Sequence, residues 1–503
     1  MHTLERAVFH VERLRAIALL LLITTFASAC VVSRSPVTGN KRAYGYTWEQ
    51  EVQLGKQADQ QVMQQFALVD DANLNQYVQG VAQNVLANSR LRQPDTPAKF
   101  KNTPFTFRIL DSPVVNAFAL PGGYVYVTRG LLTHLENEAQ LAVVLGHEIG
   151  HVAARHASQQ ALQQQLGQLG VVGGAILGGV VLGPQAAQNI LNLGSQAAQL
   201  LFLSYSRDAE READQLGVED AELTGYEASS AADFFETLKR LDAKQGALPT
   251  FLSTHPDPGE REQTVRQLDA EWDMKVQANT LDRAQFLQHL DGVVLGENPR
   301  EGFVENGTFY HPELRFQFPV PQGFSVINEA SLVALVAPNQ QAVEIFQIAQ
   351  GSSAQAAASQ FANQQGIQVI ENGPTRSSGQ PAYYVVAQAQ TQDGQTVELI
   401  ADFIEYGNRV YSFLGYTTPQ LFPQYQNAFL QAARGFAPLT DPRILNIQPA
   451  RVNIVAASRT APFSTFVPQN LPPGMSAQDL AVLNQVDLGE TIQEGTLLKL
   501  PAR

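Results

Sequence analysis

The sequence predicts an α+β, multidomain chain, mainly helical before residue 300 and richer in strands beyond it. Apolar residues recur at helical spacing over Trp48 to Gln65, Ala72 to Asn88 and Glu138 to Arg155. From about Asn298 the pattern turns to period-two alternation broken by glycine turns. At 503 residues the chain is long enough for more than one core.

Composition narrows the partners. A net charge of −14 argues against nucleic acid. There is one cysteine, Cys30, so no intrachain disulfide can form.

Residues 1–29 read as a signal peptide. Arg6, Arg13 and Arg15 precede an apolar run, Ala16 to Ala27, that is too short to span a bilayer comfortably. Ala27-Ser28-Ala29 then supplies small residues at a cleavage site. The segment resembles a bacterial lipobox, in which the residue after the cut is a lipidated cysteine. Ala27 stands where Leu is more usual. Cys30 is therefore the expected lipidation site, and 30–46 the lipidated N-terminus and tether. Val31 follows in place of the Asp that retains such lipoproteins in the inner membrane. The expected location is exported and membrane-anchored, on the periplasmic face of the outer membrane.

Two helices come next, Trp48 to Gln65 and Ala72 to Asn88. Phe105 to Leu110 alternates like a strand, and Asn116 to Val127 reads as strand, Gly122-Gly123 turn, strand. Pro121 has no N–H to donate, so the first of these strands is short or at a sheet edge.

The helix Glu138 to Arg155 contains His147-Glu148-Ile149-Gly150-His151, an H-E-x-x-H pattern. Positions i and i+4 share a helix face, so both imidazoles can point at one metal ion, with Glu148 beside them as general base. The alternative is a surface helix that happens to carry two histidines. Glu138 favours the helix N-terminus electrostatically. An edge strand beside such a metal offers backbone groups to an extended peptide. This makes Asn116, Phe118, Ala119 and Leu120 substrate-binding candidates; the alternative is an ordinary packed hairpin.

The third ligand is not on this helix. One known extension places a histidine six residues beyond the second, but Ala154 and Ala157 occupy its Gly and His positions. His156 is one residue out of register, about 100° round the helix, and reads as a polar helix-end residue. Downstream, Tyr205 to Asp214 contains E-x-x-A-D on a predicted helix. Glu210 can complete a His-His-Glu set that leaves a fourth position open. Asp214, on the same face, can accept the second ring N–H of a ligand histidine. Glu212 points away and reads as a solvated surface charge.

HEIGHVAARH, YSRDAEREAD and Thr254-His255-Pro256 together resemble the gluzincin metallopeptidase family of CAAX prenyl proteases, HtpX and BepA. SPVTGNKR and NAFALPGGYVYV are similar to its exported lipoprotein branch. The resemblance spans roughly Ser35 to Leu268. It implies zinc ligands His147, His151 and Glu210, with Glu148 as base, and an endopeptidase acting on membrane or envelope proteins. The multipass membrane segments of the prenyl-protease branch are absent. The resemblance also places His255 near the site. That residue can bind a transition-state oxyanion, hold the enzyme latent from the metal's fourth position, or serve as a turn histidine. Arg207 and Arg261 can be substrate or structural partners.

The peptidase domain is expected at 47–295, helical and zincin-type with a small edge hairpin. An uncharged helical insert occupies 157–206, and its glycine-rich Gly170 to Gly183 suits a buried hairpin or a re-entrant segment. An α+β accessory sheet domain follows at 300–440. Its strands are expected at Leu314 to Val320, Ala342 to Gln350, Ala382 to Thr391, Thr396 to Tyr406 and Arg409 to Tyr416. Its helices are expected at Ser353 to Gln365 and Gln420 to Arg434. Turn signals stand at Asp393-Gly394 and Gly407-Asn408.

The end, 446–503, resembles the second half of a LysM module. It is expected to be a βααβ unit with helices Phe463 to Leu471 and Ala477 to Gln485. Its usual opening is replaced by Ser458 to Pro462.

Two functions follow. One is a zinc-dependent endopeptidase of the bacterial cell envelope, holding one zinc per chain and hydrolysing misfolded or misassembled exported proteins. The other is a chaperone or scaffold lipoprotein that binds clients or peptidoglycan with little or regulated proteolysis. Expected partners are polypeptide substrates, the membrane through the N-terminal lipid, and peptidoglycan or envelope assembly machinery, with no nucleic acid.

Overall fold

A computed structural model describes residues 31–171, 205–245, 251, 254–255, 258–276, 278–329, 331–390 and 395–502. The signal segment, Cys30, most of the insert and the Asp393-Gly394 turn lie outside the described residues. Among those described, no helix is long and apolar enough to cross a membrane.

The chain enters on an antiparallel hairpin, β1 (Val31–Arg34) with β2 (Lys41–Tyr44). Helix α1 (Trp48–Gln65) starts at a reciprocal cap in which Thr47 accepts from the Gln50 N–H and Gln50 from the Thr47 N–H. Helix α2 (Ala72–Asn88) is capped by Asp71, which accepts from the N–H groups of Asn73 and Leu74. A three-stranded sheet follows, β3 (Thr106–Leu110), β4 (Ala117–Leu120) and β5 (Tyr124–Thr128), in the order β3-β5-β4. The expected hairpin is β4 with β5. Its partner β3 runs parallel to β5, so the unit is a mixed sheet with β4 at its edge.

Helix α3 (Glu138–Ala154) is the centre of the domain, and every one of its residues is buried. Its sequence is apolar nearly all round, as a helix enclosed on all sides requires. It ends at Arg155, whose φ of 64° turns the chain before α4 (His156–Val171) begins. His156 therefore opens the next helix rather than closing this one. Around α3 pack α2, α5 (Arg207–Thr224), α6 (Ala231–Gln245) and α8 (Arg283–Leu290), and α7 (Pro258–Asp273) packs on α5 and α6.

The accessory region is a seven-stranded antiparallel sheet. Its order is β12 (Gln368–Ser377), β13 (Gln380–Gln390), β14 (Thr396–Tyr406), β15 (Arg409–Thr417), β11 (Ala342–Ala349), β10 (Leu332–Val336), β9 (Ser325–Asn328). Side chains alternate along β14. Leu399, Ala401 and Phe403 face α9 (Ala354–Ala362), while Ile400 lies in one cluster and Ile404 in a second, both of which include residues of α10 (Phe422–Gly435). A small sheet, order β16 (Ala437–Pro438), β8 (Phe316–Pro319), β7 (Thr308–His311), β6 (Phe303–Glu305), adds Phe309, Phe316 and Phe318 to that second cluster.

The C-terminal segment departs from the expected βααβ unit. Strand β17 (Arg451–Ala456) pairs antiparallel with β20 (Leu497–Ala502), and β18 (Ala461–Pro462) with β19 (Thr491–Ile492). Helix α11 (Ala477–Leu483) forms, but Phe463–Thr465 makes a single 3-10 turn. Pro468 explains the missing helix, because it disfavours helical backbone at Val467 and cannot donate within a turn.

This segment does not stand apart. Val452, Phe463, Leu480 and Leu498 belong to the same apolar core as Leu141 and Val144 of α3. Lys499 is fully buried. Its ammonium donates to the carbonyls of Thr133 and Leu135 at 2.8 Å each and pairs with Glu136 at 2.9 Å. These residues lie just before the α3 N-cap, Asn137. The accessory sheet is thus inserted, in sequence, between two parts of one core.

Candidate metal centre

Small residues bring the parts of the site together. A Cβ on Gly217 of α5 would lie 2.8 Å from the His147 nitrogen and 3.0 Å from the Val143 carbonyl. A Cβ on Gly146 would lie 2.9 Å from the Gly217 carbonyl. Glycine at both positions lets α3 and α5 cross at backbone contact, as small residues do at close helix crossings. That closeness carries Glu210, in the first turn of α5, to the two histidines one turn apart on α3.

One donor atom each from His147, His151, Glu210 and His255 can be chosen so that all four lie within 4.8 Å of one another, and all four residues are buried. The Nε2 atoms of His147 and His151 are 2.9 Å apart, and Glu210 oxygens lie 3.5 Å from each. Lone pairs of two imidazoles and a carboxylate converging in a dry site form a donor set that suits a divalent metal. Glu148 is 1% exposed, and its Oε1 lies 3.5 Å from His255 Nε2.

His147 Nδ1 lies 2.9 Å from Asp214 Oδ1, so its N–H can donate there and leave Nε2 free as a ligand. Arg261 holds Asp214 with two nitrogens, at 2.9 Å and 2.6 Å, and lies 4.4 Å over the Phe235 ring. Arg261 is thus a structural partner, buried behind the site. Tyr205, the residue before the α5 N-cap, stacks on His151 with ring centres 4.3 Å apart. Sequence reasoning passed over it, although an aromatic directly before the E-x-x-A-D helix was the available signal. His255 Nδ1 lies 3.1 Å from both Glu210 oxygens and 3.2 Å from His147 Nε2.

The electrostatics follow these contacts. Burial pushes the Glu148 carboxyl up, against the pull of His255 and His147. Burial also opposes ionisation of Glu210, but His255 and His147 outweigh it and hold the group well below the usual carboxylate range. For His147, burial and Arg261 push down, yet Asp214 and Glu210 prevail and raise it to about 9. His151 has no carboxylate on its Nδ1 side, and burial followed by the charge of His147 pushes it well below 6.5. The two rings differ because Asp214 and Glu210 hydrogen-bond His147, whereas the charge of His147 adds to burial in lowering His151.

The substrate-strand candidates divide. Phe118 and Leu120 are buried in a core with Ala58 and Val62 of α1, so their side chains face away from any substrate. Ala119 packs against the main core. Asn116 is buried, and its Oδ1 has no partner among the described residues. Strand β4 therefore presents backbone rather than side chains.

Glu212 corrects a sequence expectation. It is not a free surface charge, because Arg42 of β2 pairs with both its oxygens, at 2.9 Å and 2.8 Å. His156 lies 3.3 Å from one of them.

Residues 72–269 match the model of Peptidase family M48. The chain is 31% identical over 230 residues to a beta-barrel assembly-enhancing protease of Yersinia pestis, covering 45% of each chain. It is 29% identical over 216 residues to the protein of that name in Escherichia coli K12, covering 42% of each. It is 33% identical over 166 residues to the mitochondrial metalloendopeptidase OMA1 of Bos taurus, covering 32% of this chain and 31% of that one. The chain spans less than half the length of these relatives. The matched segment carries His147, Glu148, His151, Glu210 and His255, so the similarity to Peptidase family M48 extends over the whole of the buried cluster.

Proposed function

We propose that this protein is a zinc-dependent endopeptidase of the bacterial cell envelope that cleaves misfolded or misassembled exported proteins. The observation that carries the reading is the buried convergence of His147, His151 and Glu210 with Glu148 alongside. His147, His151 and Glu210 would hold one zinc ion. When bound, zinc acidifies a water molecule and polarises a carbonyl. Glu148 takes the proton of the attacking water and returns it to the leaving amine. The backbone edge of β4 would align the substrate chain by strand addition. Casein digestion tests the reading. A chelator should stop it and added zinc restore it; digestion indifferent to chelation refutes zinc dependence.

The envelope setting draws support from the signal-like residues 1–29 and from relatives named as beta-barrel assembly-enhancing proteases. Lipidated Cys30 would tether the enzyme to the outer membrane, with envelope assembly machinery or peptidoglycan within reach. Cys30→Ser should then shift the protein from the membrane fraction to the soluble one. Continued membrane association would refute the tether.

His255 favours regulated rather than constitutive cleavage. Its ring packs against His147 and Glu210, among the atoms that would hold the metal. In this reading His255 serves as a displaceable fourth ligand that keeps the site closed. His255→Ala should raise casein cleavage by about 10-fold, the effect of removing a bias of about 1.4 kcal/mol toward the closed form. A fall in activity would assign His255 to the oxyanion instead.

A further inference from the structure

The two ligand histidines are supported in different ways. His147 rests directly on a carboxylate, Asp214. His151 rests on another imidazole, since its Nδ1 lies 2.9 Å from His156 Nδ1. The turn at Arg155 makes this possible. It breaks the helical path, so His156 swings over the ring of His151 instead of continuing round α3.

Proton placement then follows along the row. If Nε2 of His151 is the ligand atom, its proton sits on Nδ1 and donates to His156 Nδ1. His156 must carry its own proton on Nε2, which lies 3.3 Å from Glu212 Oε2. Glu212 can only accept, and Arg42 holds both its oxygens. Each neighbour thus allows one tautomer for the next. His156 is 2% exposed, so water does not compete for its ring.

We propose that His156, Glu212 and Arg42 are positioning residues for His151, and that the N-terminal hairpin is thereby a component of the metal centre. Arg42 lies on β2, twelve residues past Cys30, in a segment that precedes the matched peptidase domain. Arg155 ties the same hairpin to the end of α3 through Ser33 Oγ at 2.8 Å and the Tyr46 carbonyl at 2.7 Å. The inference rests on the zinc reading above.

The test is zinc affinity of the full-length protein, measured by competition with a chromophoric chelator, beside thermal melts of the metal-free form. Removing a hydrogen-bond partner behind a ligand weakens a metal site by roughly 10- to 100-fold. His156→Ala and Glu212→Ala should show that loss while the metal-free melt is kept. Arg42→Ala should lose less, and Arg42→Lys should stay near wild type. The charge swap Arg42→Glu with Glu212→Arg separates a relay from a strap. It restores the ion pair but leaves His156 without an acceptor, so zinc affinity should remain weak. Wild-type affinity in the swap, or in both His156→Ala and Glu212→Ala, overturns the relay. Should His156→Ala fail to fold, Glu212→Ala and the swap, both at the partly exposed end, carry the test. A wild-type protein that binds no zinc sinks the function proposed above as well; wild-type binding with unchanged variants sinks the relay alone.

Discussion

Glu148→Gln is expected to retain one zinc per chain and to lose peptide hydrolysis by about 10²- to 10⁴-fold, the range that general base catalysis supplies. Gln matches Glu in shape, so the packing of a residue 1% exposed is kept. It is neutral and has no carboxylate to accept a proton. The native environment suits the role, since burial raises the Glu148 carboxyl above its ordinary value and so favours its holding the proton before return to the leaving group. Metal content by atomic absorption and casein cleavage should be read on the same sample. A zinc-loaded Glu148→Gln protein that still digests casein would refute the assignment.

Arg155→Met is expected to destabilise the fold by about 3–5 kcal/mol, as for a buried ion pair that loses one partner. Arg155 is 1% exposed and its guanidinium lies 3.7 Å over the Tyr44 ring. It donates to Glu51 Oε1, with Nε at 2.8 Å. Glu51 is itself 2% exposed, and burial, opposed by Arg155, raises its carboxyl to about 7. A carboxyl held above its unfolded value costs stability as pH climbs through the window from about 4.5 to about 7, because the unfolded chain ionises first, and the cost levels off above that. Removing Arg155 raises Glu51 further, so the gap between wild type and variant should widen from pH 5 to pH 8. Urea unfolding at both pH values measures this. A constant gap would assign the loss to packing and hydrogen bonds, without the ion pair.

The sequence was most legible where one periodicity carried the meaning. Helical spacing alone aligns His147 with His151 and Glu210 with Asp214, and the boundaries of α1, α2 and β14 could be read from pattern and turn residues. What it could not show were relations across distance. Glu212 read as solvated because its partners, Arg42 and His156, lie 170 and 56 residues away. Arg155 gave no sign of its burial, since one arginine after an apolar helix usually faces water. Strands β9, β10 and β12 went unseen, and Gln368 to Ser377 explains why. It is mostly exposed and includes Gly373 and Pro374, which argue locally against a strand. Pairing with β13 overrides that preference. The C-terminal segment reads as a βααβ unit, but nothing in it told that Val452 and Leu498 complete the core around α3.

That shared core bears on the order of events during synthesis. Translation delivers α3 and its histidines more than 300 residues before Lys499, whose ammonium binds the carbonyls of Thr133 and Leu135. Until that residue arrives, those carbonyls lack their donor, and apolar side chains such as Leu141 lack part of their cover. A nascent or truncated chain therefore holds every ligand of the centre without the packing that steadies the helix bearing His147 and His151. Completion of the centre is in this way deferred until the segment around Lys499 has been made, well after the ligands themselves.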